Sequence, residues 1–303
     1  MVTKARQKLK RVRKYNAFDI FVVLFCTLCA LICVYPMWYV LIVSITPYEE
    51  FIKKSTILLP PLKPDFQYYK AILTSSLFQQ SIMISVFKTV TATVLSVIVT
   101  SMMAYGVSKT HIKGMKLINF LVVCTLYFNG GLIPTYFLYR DLLMIKTILP
   151  MILPAAVNVT YFIIMRNYFN YSVSLSIEEA AIIDGANQAT IFFKLILPIS
   201  APMVAAVSLF IAVTQWNDYY QYLMFVNKPN LQPYVWVLRR MLVDHTFTNT
   251  LSANAQAQLG IPHIPAFALR MATIITAMTP IIIVYPFMQK HFAQGMMIGA
   301  VKG

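Results

Sequence analysis

The chain has 303 residues, 59% of them hydrophobic and only 12% charged, with a formal net charge of +15. A soluble chain of this length carries about 25% charged residues, so the composition excludes a soluble globular protein and specifies an integral membrane protein. Its apolar stretches are long and continuous rather than alternating in short segments, which predicts spanning helices rather than a barrel.

The positive charge is concentrated at the start, in Lys4, Arg6, Lys8, Lys10, Arg11, Arg13 and Lys14. A basic cluster directly before an apolar span is a cytoplasmic anchor beside anionic lipid. No basic–aromatic motif accompanies it, so no nucleic-acid partner is implied. Residues 1–18 are expected to form a cytoplasmic tail, 19–289 a six-helix membrane domain, and 290–303 a second cytoplasmic tail.

The first expected span, 19–45, is too long for a signal-peptide core and lacks a small-residue cleavage site. Cys26, Cys29 and Cys33 fall near one face of it, and Cys124 sits in the third span. With no His or acid beside them, the four are expected to be small apolar packing residues. Residues 47–76 form an expected outer loop whose Phe66, Tyr68 and Tyr69 suit a membrane interface.

The second span is expected at 77–107 and contains Lys88. A lysine at mid-membrane depth costs roughly 2.5–3.5 kcal/mol on insertion scales, so it either faces protein or water or snorkels to the outer surface. An inner loop with Lys109, His111, Lys113 and Lys116 leads to the third span, 117–138. Asn129-Gly130-Gly131 and Pro134 are expected to break or bend that span. The fourth span is expected at 148–165, and Arg166 marks the return to the inner side.

Residues 178–202 follow, reading EEAAIIDGANQATIFFKLILPISAP. Glu179-Ala180-Ala181 is expected to open a short helix, carboxylates first, where the helix dipole favours negative charge. Gly185 permits a turn or a close approach that a side chain would block. A second short helix is expected from Ala189 to Leu197, stopped by Pro198 and Pro202. Two short helices at a sharp angle suit a plug for a groove on another protein.

The fifth span, 203–225, is interrupted by Gln215-Trp216-Asn217-Asp218-Tyr219-Tyr220. Such a cluster at membrane depth is costly unless it lines a cavity. The aromatics are open to two readings, an interfacial belt or contact with the apolar faces of a sugar, with Gln215 or Asn217 bonding hydroxyls. Residues 227–270 form the longest expected outer segment, with Arg239 and Arg240 as solvated charges, and the sixth span is expected at 271–288.

Glu179-Ala180-Ala181, three residues, Gly185, nine residues, then Leu195-Ile196-Leu197-Pro198 resembles the EAA motif of ABC-importer permeases, with Leu195 in place of the usual Ile. The ending from Gly295 through Gly299-Ala300-Val301-Lys302-Gly303 is similar to that of sugar-importer permeases. Trp216-Asn217-Asp218 resembles part of their fifth helix, and Asn129 to Pro134 resembles the oligosaccharide branch of the MalG-like family typified by LplC and YtcP.

The resemblance implies an all-α, type I ABC-importer permease fold in the bacterial cytoplasmic membrane, with both termini cytoplasmic. It implies a loop, Glu178, Glu179, Ala180, Ala181, Asp184, Gly185, Leu195, Leu197 and Pro198, that docks on a separate ATPase. Gln215 to Tyr220 would then border the substrate pathway. The implied partners are a second, homologous permease in a heterodimer, two copies of the ATPase, an extracytoplasmic solute-binding protein, and membrane lipid. The implied substrate is an oligosaccharide. Together with the basic outer residues, the branch extends this to acidic, uronate oligosaccharides.

No phosphate loop of the G-x-x-x-x-G-K-[ST] type is present. The chain is therefore expected to be non-catalytic, with ATP and Mg held by the partner ATPase. The four histidines form no zinc spacing, so no metal site is expected. Two alternatives remain, an ABC permease for another small solute and a secondary transporter. The second would carry paired intramembrane acids, which are absent from the expected spans.

Overall fold

The computed structural model describes residues 16–53, 59–109, 112–261 and 264–300. The described residues are helical, and four helices are long and apolar enough to cross a bilayer: Ala17–Ser44, Ser76–Ser108, Leu149–Tyr171 and Ala266–Pro286. A fifth crossing qualifies only as a pair, Gln188–Ile199 and Ala201–Asn217, bent by 83°. The basic cluster before Lys14 and the terminal Val301-Lys302-Gly303 lie outside the described residues.

α1 (Ala17–Ser44) starts at a reciprocal cap, in which Asn16 and Asp19 exchange side-chain and backbone bonds. Its apolar surface stays exposed until Ile42, Val43 and Ser44, where its outer end packs near Met271. Cys26, Cys29 and Cys33 are free and exposed on it, so they are not packing residues within this chain. The expected outer loop after it contains two helices, α2 (Tyr48–Lys53) and α3 (Gln67–Thr74).

α4 (Ser76–Ser108) is the central rod. Its buried positions, among them Ser81, Ser85, Lys88, Ala92, Ser96, Thr100 and Ala104, recur every three or four residues and are mostly small. Small residues at helical spacing let neighbouring backbones approach closely, and α4 packs against the fourth and fifth spans along this stripe.

The expected third span is two short helices, α5 (Met115–Cys124) and α6 (Leu132–Asp141). The break is built as the sequence suggests. Gly131 has φ +84°, open to glycine, and donates its N–H to the Asn129 side chain at 2.9 Å. In the fourth span, Pro150 and Pro154 lie in 3₁₀ turns (Leu149–Met151 and Leu153–Ala156). α7 (Val159–Ser172) follows, with the Asn158 side chain accepting from the N–H groups of Thr160 and Tyr161.

After the short helices α8 (Leu175–Ile183) and α9 (Gln188–Ile199) comes α10 (Ala201–Asn217), the apolar second half of the bent pair. It stops at Asp218, whose backbone is extended (φ −75°, ψ 117°), and the chain resumes in a π-helical turn, Tyr222–Val226.

The expected outer segment 227–270 is also helical: α11 (Tyr234–Val243), α12 (His245–Leu259) and the start of α13 (Ala266–Ala300). With α3 these helices close a core around Tyr68, Ile72, Phe78, Tyr234, Val237 and Met241. A second core joins Tyr105, Phe162, Met165 and Phe169 of α4 and α7 to Ala181, Ile191, Phe192 and Ile196 of α8 and α9. α13 runs on as helix to Ala300, through most of the expected tail 290–303.

Candidate functional site: an inner-side elbow and a polar cavity

The elbow is set by its caps. Ser174 precedes α8, so Glu178 lies in the first turn and Glu179-Ala180-Ala181 falls in the second; the motif does not open the helix. α8 ends in a Schellman arrangement. The Ala186 N–H donates to the Ala181 carbonyl at 2.9 Å and the Gly185 N–H to the Ile182 carbonyl at 3.0 Å. Gly185 sits between them at φ +81°, the left-handed conformation this motif requires. A Cβ at Gly185 would meet nothing within 4 Å, so the space beside it is open in this chain.

α9 starts at Asn187, whose side chain accepts from the Thr190 N–H at 2.8 Å. Residues Ile191–Ile196 form a π turn, and Pro198 lies inside the last α turn. The break falls at Ser200, two residues later than expected, and Pro202 lies in the tolerant first turn of α10.

The expected docking residues divide into two faces. Glu178 and Ala181 are buried, while Leu195 and Leu197 pack against the inner core. Glu179, Ala180, Asp184, Gly185 and Pro198 are exposed. Ile182 and Ile183 join the exposed face at 53% and 85% exposure. Glu178 forms an ion pair with Lys109, the residue that caps the C-terminal end of α4. The Lys109 ammonium also lies 4.4 Å from the centroid of the Tyr105 ring.

The second feature is a cavity of about 250 Å³ between the fourth and fifth spans and α4, lined by Ser96, Asn158, Tyr161, Thr214, Gln215, Asp218 and Gln221 among others. The Oε1 atoms of Gln215 and Gln221 are buried without a hydrogen-bond partner. Those two oxygens are closed off from the cavity itself, whose polar lining, Tyr161, Thr214 and Asp218 among it, can bond hydroxyl-rich solutes or water.

Lys88 stands behind Asp218. It is fully buried and donates to the Asp218 main-chain carbonyl at 2.5 Å, with the carboxylate 3.5 Å away. Of the two readings open in the sequence, the structure selects a lysine facing protein.

The polar–aromatic run does not act as one unit. Gln215 and Asp218 line the cavity. Trp216 is buried and donates its indole N–H to the Ala277 carbonyl of α13 at 2.9 Å. Asn217 bonds back to the Val213 carbonyl, and Tyr220 is exposed. Tyr219 stacks on Trp236, with the Arg239 guanidinium 4.5 Å from its ring centre. Sequence reasoning missed Asn158, Tyr161, Thr214 and Gln221 as lining residues. Thr214 and Gln221 flank the Gln215–Tyr220 cluster directly and extend it at both ends, whereas Asn158 and Tyr161 lie in a different, mostly apolar span with no local signal linking them to it.

The elbow and the cavity can be set beside known proteins. No protein-family model matches the chain. It is 37% identical over 295 residues to the polygalacturonan/rhamnogalacturonan transport system permease protein YtcP of Bacillus subtilis (strain 168), covering 96% of this chain and 100% of that one. The chain belongs to the ABC-transporter permeases.

Protein LplC of Bacillus subtilis (strain 168) is 35% identical over 290 residues, covering 95% of this permease and 96% of LplC. A chain in the crystal structure of a bacterial ABC transporter involved in the import of the acidic polysaccharide alginate superposes with a TM-score of 0.83 at 31% identity. That match covers 92% of this permease and 99% of that chain. The permease fold and the membrane location therefore stand. The protein is a non-catalytic subunit that works with ATPase and binding-protein partners.

Proposed function

We propose that this permease moves acidic oligosaccharides, uronate-rich ones among them, inward across the bacterial cytoplasmic membrane as one half of a heterodimer with a second permease. Two ATPase copies drive it, an extracytoplasmic binding protein supplies it, and both of its termini are cytoplasmic. Six crossings fit this topology if the α5–α6 pair and the bent α9–α10 pair each serve as one. Relatives named for galacturonan transport and for alginate import support the substrate class. Tyr161, Thr214 and Asp218 supply the hydroxyl-bonding groups beside the pathway.

The observation that carries the coupling role is the split elbow. Its buried face packs on α4 and α7, while Ile182, Ile183, Glu179 and Gly185 are exposed, with open space beside Gly185. An exposed aliphatic patch rimmed by charge is what a partner cleft covers. Glu179 would face a basic residue there. Glu178 contributes by fixing the helix from behind.

The test is uptake of labelled oligogalacturonides by cells carrying the transporter, with and without Gly185→Asp. We expect competition by unlabelled uronate but not by neutral oligosaccharides. The variant should insert normally and lose uptake. Normal uptake by the variant would remove the docking role, and preference for neutral sugars would remove the acidic substrate.

A further inference from the structure

α4 carries two lysines that are sheltered from solvent and held by acids of other elements. At its C-terminal end Lys109 pairs with Glu178 of α8, the two side chains 13% and 11% exposed, and Tyr105 closes over the ammonium. About 32 Å away along the same unbroken helix, Lys88 holds Asp218 at the break of the fifth span, beside the cavity. The broken backbone there frees the Asp218 carbonyl from helical pairing, and Lys88 supplies its donor. No Pro or Gly interrupts α4 between the two pairs until Gly106, one turn from its end.

We propose that α4 is a coupling rod. Lys109–Glu178 transmits displacement of the docked elbow to α4, and Lys88–Asp218 transmits it to the break in the fifth span, so that ATPase closure changes the cavity. Lys109 and Lys88 are positioning residues that touch neither nucleotide nor substrate. The alternative route for force, through α9 into α10, crosses an 83° bend and a π turn, which yield more readily than a straight helix. Both ion pairs are shielded, so a change at one end is not lost in solvent screening.

This inference rests on the docking of the elbow on the ATPase, which the Gly185→Asp experiment tests separately. Its own test uses the complete transporter, with ATPase and partner permease, in lipid nanodiscs. Hydrogen exchange at 216–224 is compared between the nucleotide-free complex and the complex trapped with ATP and vanadate. Lys109→Glu and Glu178→Lys are measured singly and as the double swap.

We expect wild-type exchange at 216–224 to change on trapping by at least about threefold. Each single variant should keep its bound ATPase but lose that response, and the double swap should regain it. The same wild-type response in both single variants would overturn the proposal. Release of the ATPase by both singles would also overturn it, because the pair would then serve docking itself. Lys109→Gln, which keeps side-chain length, is read by the same criteria if Lys109→Glu does not assemble.

Discussion

Trp216 shows how one residue's neighbours decide between two roles that its type allows. A tryptophan beside Asn and Asp at the end of an apolar span serves equally as an interface anchor or as a sugar platform. Here its indole N–H is bonded to Ala277, one turn before Pro280, whose missing N–H already weakens that part of α13. We therefore expect Trp216→Phe to lower the melting midpoint of the assembled transporter, at a cost of about 1–2 kcal/mol. Half-saturation for substrate should stay unchanged. A raised half-saturation with unchanged melting would place the ring on the pathway instead.

Lys88 illustrates the same point. Sequence gives the cost of a buried ammonium but not its partner, because Asp218 is 130 residues away and no local pattern links the two. Gly185 was the opposite case. Its spacing after Glu179-Ala180-Ala181 singled it out, and the left-handed Schellman position supplies the physical reason.

At the scale of elements, the long spans were legible because lipid demands continuous apolar runs. α1, α4 and α13 start within a few residues of where hydropathy places them. The helices of the expected outer segments were not, because each buries only one face, against its neighbours and the ends of α4 and α13. α12 reads as polar, and its buried positions are Thr248, Ser252 and Ala255 rather than large aliphatics. Thr248 donates to the Met241 carbonyl at 2.7 Å and Ser252 to the Ile264 carbonyl, so hydrogen bonds substitute for apolar periodicity. The sequence predicts two helices in the elbow; α8 starts after Ser174, ahead of the motif, and ends at the motif's Gly185, while α9 starts at the Asn187 cap and runs past Pro198.

The outer helical unit makes a pH prediction of its own. Tyr68 of α3 is fully buried and donates to the Thr46 carbonyl at 3.2 Å. Burial pushes its phenol up to about 12. Below pH 10 the phenol is neutral whether folded or unfolded, and its contribution is fully present. Between pH 10 and 12 the unfolded chain ionises while the folded one resists, so stability falls with rising pH. We expect a loss of about 2 kcal/mol across that window, read as a drop in the melting midpoint. Tyr68→Phe should flatten that part of the profile, and an unchanged slope would show that other groups set it.

For the molecule as a whole, the chain is an incomplete machine. It has a polar cavity, a patch of exposed isoleucines at the elbow, and an exposed first span. Under the proposed function each of these surfaces meets a different neighbour: solute, ATPase and lipid or partner permease. α4 touches the helices around Tyr234, the cavity and the elbow. Under the proposed coupling route the permease is a transmission element driven by its ATPase partner.

The most direct test is to purify the tagged chain from its native membranes in mild detergent and to identify what accompanies it. The expected result is a second six-span permease and an ABC ATPase, with the ATPase lost from the Gly185→Asp chain. Isolation of the chain alone, or as a homodimer without an ATPase, would contradict the account at its centre.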